Sequence, residues 1–261
     1  MTLPGPGAVP PRPDRLDPWP HIRPQTPPET RPALVPDTWP VATWELRELI
    51  PVFLMPFGLS LYVATVLGGV LRLQGEGALF VATLLQQVSF LAPVAWAHRP
   101  GRPALAAFGW RRPAAGDLAR GVGIGVAGLF ASGAVAIAVL EFARAVLGYT
   151  PEVTSALDPF HGEWEVLSAI VAVAVAPVCE EVLFRGFLFG GLRRRWSFWP
   201  AASISALAFA VVHGDPIRLL SLFVVGLMLA AILERTHRLA ASIAAHLTLN
   251  LVSVLLLFAG R

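Results

Sequence analysis

Residues 165–192 read EVLSAIVAVAVAPVCEEVLFRGFLFGGL. The run is long and apolar enough for one helix to cross the hydrocarbon core of a bilayer, which takes about 20 residues. Inside it stand Glu180, Glu181 and Arg185. An ionised side chain at bilayer depth costs from about 2.5 to more than 10 kcal/mol, so such groups face a protein interior or a wet cavity rather than lipid. The stretch therefore points to a membrane-spanning helical chain with its functional centre around these three charges.

On either side of it, six more apolar runs lie near 50–71, 78–97, 121–147, 198–213, 217–233 and 239–258. Together they predict an all-α, polytopic transmembrane helix bundle of about seven spans, of which 198–213 and 217–233 are short for crossing. Composition agrees: 55% of the 261 residues are hydrophobic, 14% are charged and the mean hydropathy is +0.64, against about a quarter charged in soluble domains. The organisation expected is a Pro-rich tail over 1–40, N-terminal membrane helices with an interfacial segment over 41–164, and a catalytic helical part over 165–258. The tail holds 13 of the 24 prolines and no helical period; it reads as a disordered cytoplasmic extension without a specific ligand. No apolar core of a cleavable signal occurs in it, so the first span is expected to remain as an anchor.

All 20 basic residues are arginines, and they are scattered between apolar runs. They flank membrane segments and form no phosphate-binding face, which excludes a nucleic-acid partner. Arg99, Arg102, Arg111, Arg112 and Arg120 follow span two, Arg193 to Arg195 follow span four, and Arg235 and Arg238 follow span six. The opposite loop 148–164 carries Glu152, Asp158 and Glu163 and no arginine. The positive-inside rule then places the N-terminus in the cytoplasm and the C-terminus outside. A lysine-free chain rich in Ala, Gly, Pro and Arg points to a GC-rich bacterial genome, and so to the bacterial plasma membrane.

Residues 123–128, Gly-Ile-Gly-Val-Ala-Gly, match the dinucleotide fingerprint in form only: no strand precedes them and they lie inside an apolar helix. Gly121 with Gly125, and Gly226 with Ala230, instead form small faces for close helix packing. The single cysteine, Cys179, excludes an intramolecular disulfide and a cysteine metal cluster. A buried thiol is a poor nucleophile, which argues against a cysteine protease. Ser203 and Ser205 are expected to bond to the preceding helical turn, with no nucleophile elbow present.

Glu180 and Glu181 are successive on a helix and point about 100° apart, so they serve different jobs. Arg185 is four residues beyond Glu181, the spacing at which the two side chains meet. That assigns Glu181 to an ion pair and leaves Glu180 facing a cavity as a general base. His213, with Phe209 one turn earlier, ends the fifth span; His246, with Asn250 one turn later, lies in the seventh. Phe209 reads as core packing. Asn250 on the face of His246 suggests a shared polar partner or ligand.

The set Glu180-Glu181-x-x-x-Arg185, Phe209-x-x-x-His213 and His246-x-x-x-Asn250 resembles the CPBP family of intramembrane proteases, which includes the type II CAAX prenyl endopeptidases and bacteriocin-processing and immunity proteins. The resemblance covers 165–258. It implies a helical bundle with an internal, water-filled catalytic chamber. Glu180 and His213 would activate water, His246 and Asn250 would support the oxyanion, and Glu181 and Arg185 would position them. The residues allow that chemistry independently, since peptide hydrolysis needs an activated water and donors to a tetrahedral oxyanion. A zinc version with Glu180, His213 and His246 as ligands is chemically open, although the chain lacks a His-Glu-x-x-His helix and Asn250 is a poor zinc ligand. The metal-free mechanism is preferred, with no cofactor. The expected partners are a peptide or membrane-protein substrate and the lipid bilayer. A proton-coupled transporter is the alternative from another class, because buried Glu, His and Arg also mark ion pathways. Inverted repeats and paired broken helices, which would support it, are not evident.

Helix counting leaves one difficulty. At about 1.5 Å per residue from the flanking arginines, Glu180, His213 and His246 fall at roughly 20, 27 and 12 Å. Tilted or broken helices must bring them level.

Overall fold

A computed structural model describes residues 44–261, apart from 71, 73, 99–104 and 153. The Pro-rich tail, Arg99 and Arg102 lie outside the described residues. Seven main helices follow in order: α1 (Arg47–Gly69), α2 (Glu76–Ala97), α3 (Ala115–Leu147), α4 (Gly162–Arg193), α5 (Phe198–Val212), α6 (Leu219–Thr236) and α7 (Leu239–Ala259). No strand occurs among the described residues. A chain this apolar must satisfy its backbone donors and acceptors inside each segment, and helices do so.

Six of the seven are long and apolar enough to cross a membrane; α5, with 15 residues, is the shorter one. At about 1.5 Å per residue it spans roughly 22 Å, less than a 30 Å hydrocarbon core. Of the seven predicted spans, then, six qualify by length.

The glycine faces act as their spacing predicts. A Cβ on Gly121 would lie 2.4 Å from the Ala241 carbonyl oxygen, and one on Gly125 would lie 2.4 Å from that of Ala245. These glycines let α3 press directly on the α7 backbone, the most extensive helix contact in the bundle. Gly226 does the same for α6 on α5, where a Cβ would meet Ala206 Cβ at 2.7 Å.

Contacts between loops define two ends of the bundle. At one, Arg193 pairs with Glu234 (2.7 Å), Arg238 pairs with Asp117 (2.8 Å) and also reaches the Arg112 carbonyl, and Leu239 N–H donates to the Gly109 carbonyl (2.9 Å). The described arginines of all three basic loops therefore gather together. At the other end Glu76 accepts from the His161 backbone N–H (2.7 Å), and Arg261 pairs with Glu165 and with Asp158 (3.6 Å).

The segment after α2 packs in part against the bundle. Trp110 is exposed, but Phe108 is buried, with its ring 4.8 Å from that of Trp44 and 6.2 Å from that of Phe187. The Phe108 ring joins an aromatic cluster that includes Trp44, just before α1.

Candidate active site

α4 is not a uniform α-helix. It widens into π-helical turns at Val171–Val175 and again at Glu181–Phe189, with Pro177 between them. Each π turn bonds i to i+5 and packs more residues into the same length, and such turns gather at functional sites. The second one shortens the climb from Arg193 to Glu180. Counting at the α-helical rise overstated that depth, while α5 ends at Val212 with His213 as its cap, where the apolar run predicts. The π turn lowers that count for Glu180, and side-chain contacts bring Glu180, Phe209, His213 and His246 together.

Glu181 and Arg185 are both fully enclosed, and Arg185 Nη1 lies 2.9 Å from Glu181 Oε1. The guanidinium also reaches the Gly226 carbonyl (3.5 Å) and sits 4.2 Å from the centroid of the Phe209 ring. Glu181 holds two further groups: Ser242 Oγ donates to its Oε2 (2.5 Å), and His246 Nδ1 stands 3.0 Å from its Oε1. A buried charge pair repays its desolvation only when its remaining polar atoms find partners; these contacts supply donors to Glu181, while Arg185 Nε has no hydrogen-bond partner among the described residues.

His246 stands between the two glutamates. Its Nδ1 faces Glu181, and its Nε2 lies 3.7 Å from Glu180 Oε2. That second distance is too long for a direct hydrogen bond, yet a water placed to one side can bond both atoms. The other carboxylate oxygen of Glu180 accepts from Gln87 Nε2 (3.1 Å) on α2. The 100° offset thus gives the two carboxylates separate surroundings, one closed around an arginine and one meeting a neutral amide and an imidazole.

His213 Nδ1 is 2.7 Å from the Phe209 carbonyl oxygen. A carbonyl only accepts, so this nitrogen carries the proton and Nε2 is left with its lone pair. The His213 ring packs edge-on against Phe209 at 4.7 Å and lies within electrostatic range of Glu180 and His246. Phe209 does more than fill the core: it touches Arg185 and both histidine rings, with His246 at 5.6 Å. Asn250 and His246 hold different protein partners. Asn250 Nδ2 donates to the Ala172 carbonyl (2.9 Å) in the first π turn, which leaves the second amide hydrogen for another acceptor.

Sequence reasoning missed Ser242 and Gln87. Ser242, four residues before His246, was detectable by its place on that helix face. Gln87 stands apart from all three motifs and carried no signal. Ser205 also departs from expectation, since its hydroxyl crosses to the Phe184 carbonyl of α4 (2.8 Å) instead of its own preceding turn. Among the described residues no group of three or more His, Cys, Asp or Glu side chains is arranged to hold a metal ion. The donor atoms left over, His213 Nε2, His246 Nε2 and the Glu180 carboxylate, are suitable in kind but do not meet at one point. Cavities of about 200 and 520 Å³ open at the arginine-rich end, lined by residues such as Trp110 and Ile243 and by Arg120 and Arg235 respectively. Neither includes Glu180, His213 or His246, so neither is the chamber expected from the sequence.

The region that holds this cluster matches a known family. Residues 162–252 fit the model described as "Type II CAAX prenyl endopeptidase Rce1-like". The matched residues are 91 of the 261 in the chain. The prenyl-endopeptidase-like segment spans α4 to most of α7, so every motif residue from Glu180 to Asn250 falls inside it and Gln87 outside. A Bacillus subtilis (strain 168) protein named "Putative membrane peptidase YdiL" is 37% identical over 90 residues, 34% of this chain and 37% of the relative. The match thus covers little more than a third of that relative's length. No solved structure matches the chain.

Proposed function

We propose that this protein is an intramembrane endopeptidase that hydrolyses a peptide bond with a water activated by Glu180. The observation that carries the reading is the pairing of Glu180 Oε2 with His246 Nε2 across 3.7 Å, in a site where Glu181, Arg185 and Ser242 hold the histidine. The family of the segment and the peptidase name of its Bacillus relative support it.

The steps follow from the contacts. Glu180 takes a proton from water, and its carboxylate is held in place by one oxygen while the other receives that proton. His213 bonds the same water through Nε2. The resulting hydroxide adds to the scissile carbonyl carbon, and the oxyanion is met by donors from His246 and Asn250. To donate from Nε2 while Nδ1–H stays on Glu181, the His246 ring carries both protons. Glu180 then returns its proton to the departing amine as the C–N bond breaks. The substrate class is a peptide or membrane-protein segment at the bilayer. The membrane is a bacterial plasma membrane, with the arginine-rich end and the N-terminus in the cytoplasm.

The test is proteolysis by purified protein in detergent. Glu180→Gln keeps the shape but cannot take the proton, and should lose at least about 10²-fold in rate while remaining folded. Activity near wild type in that variant would falsify the assignment of Glu180 as base. Chelation is the companion measurement: activity should survive it, whereas stoichiometric zinc whose removal and return tracks activity would replace the glutamate mechanism with a metal one.

A further inference from the structure

We infer that Gln87, on a helix outside the family-matched segment, is a positioning residue for Glu180 and also a contact for the substrate main chain. The inference rests on the endopeptidase reading above. Its amide nitrogen aims the carboxylate; its amide oxygen receives a substrate N–H.

The first half follows from how Glu180 is spanned. Gln87 Nε2 is 3.1 Å from Oε1, and His246 Nε2 is 3.7 Å from Oε2. A carboxylate turns about its last bond, and a donor on one oxygen stops that rotation with the other oxygen toward the imidazole. The amide has only one attractive orientation here, because turning it over would set two acceptors against each other. α2 in turn is fixed in place. Ser89, two residues on, donates through its hydroxyl to the Gln86 carbonyl (2.6 Å) and lies 3.3 Å from the Pro56 carbonyl of α1, while Phe90 is buried against Phe57 and Phe184.

The second half follows from what Gln87 leaves unmade. Gln87 Oε1 is buried and has no hydrogen-bond partner among the described residues. An orphaned buried acceptor costs about 1–3 kcal/mol, and each such group in a folded protein calls for a cause. Joining two membrane helices does not supply one, because that role is complete with the single bond to Glu180. A peptide bound for cleavage beside Glu180 carries main-chain N–H groups, and where it is shielded from bulk water each needs an acceptor. Gln87 Oε1, on the side chain that meets Glu180, is the acceptor assigned to one of them. The site is then a composite: the matched segment provides the reacting groups, and α2 provides the residue that aims them.

Three variants test this in the purified full chain, read by kcat, KM, rate–pH profile and thermal unfolding. Gln87→Met keeps size and loses both polar functions. It should lower kcat by about 10- to 100-fold, the scale of a misplaced catalytic group, and raise KM severalfold while leaving the unfolding temperature within a few degrees. Gln87→Glu is nearly isosteric and can donate only while its introduced carboxyl is protonated. Since two carboxylates this close share one proton, its rate–pH profile should be displaced from that of wild type, with activity recovered where the proton is shared. Unchanged kcat in Gln87→Met, or a Gln87→Glu profile that superimposes on wild type, overturns the inference. If the methionine variant fails to fold, the glutamate profile decides alone. Glu180→Gln run alongside keeps the two claims apart: an active Glu180→Gln sinks the endopeptidase mechanism itself, while an inactive one beside normal Gln87 variants sinks only the role of Gln87.

Discussion

Glu181 and Arg185 are placed so that neither can be lost singly. With both side chains fully enclosed, Glu181→Gln leaves the buried guanidinium without its paired carboxylate, a loss that typically costs about 3–5 kcal/mol. The expected outcome is a sharp drop in unfolding temperature and in yield together with activity, and equal stability of variant and wild type would remove the ion pair from the account. Asn250→Ala separates a different effect. One amide hydrogen is committed to Ala172, and the second is assigned to the oxyanion, so kcat should fall by about 10² to 10³ with little change in KM. A change in KM alone would make Asn250 a binding residue. Much of this site was legible as residues, because Glu, Arg and His are costly in an apolar helix and stand out there. Ser242 and Gln87 were not: uncharged polar residues are tolerated in membrane spans, and their importance comes from which carboxylate oxygen they meet.

At the scale of elements, the α3–α7 seam gives the clearest expectation. Gly125→Val would drive a side chain into the Ala245 carbonyl, where even a Cβ lies only 2.4 Å away, whereas a Cβ on Gly123 meets nothing within 4 Å. The first should destabilise the fold by at least about 1–3 kcal/mol, and Gly123→Ala should be near neutral. Thermal unfolding of the two side by side in detergent checks the seam, and similar shifts for both would mean that α3 and α7 do not pack this closely. The seven helices could be read from apolar runs because each run is bounded by arginine, proline or glycine clusters. Their depths could not, since counting residues assumes a constant rise. The π turns of α4 break that assumption, and nothing in the apolar pattern announces them.

For the whole molecule, the two loop clusters make orientation testable. A C-terminal reporter active only outside the cytoplasm should work when fused after Arg261 and fail after Arg195, because those positions lie at opposite ends of the bundle; the reverse pattern would invert the assignment. Hydropathy and arginine placement are enough to frame that expectation, whereas the dependence of the site on α2 emerges only from side-chain geometry. That dependence has a consequence for how the chain can be divided. The loop between α3 and α4 carries exposed positions such as Gly148, Glu152 and Thr154, and it separates a front half holding Gln87 from a back half holding the motif residues. A gene split at this loop yields two polypeptides, each with membrane helices of its own but neither with a finished centre. Expressed apart they should be inert, and expressed together they should reconstitute one enzyme across the Gln87–Glu180 contact and the α3–α7 seam.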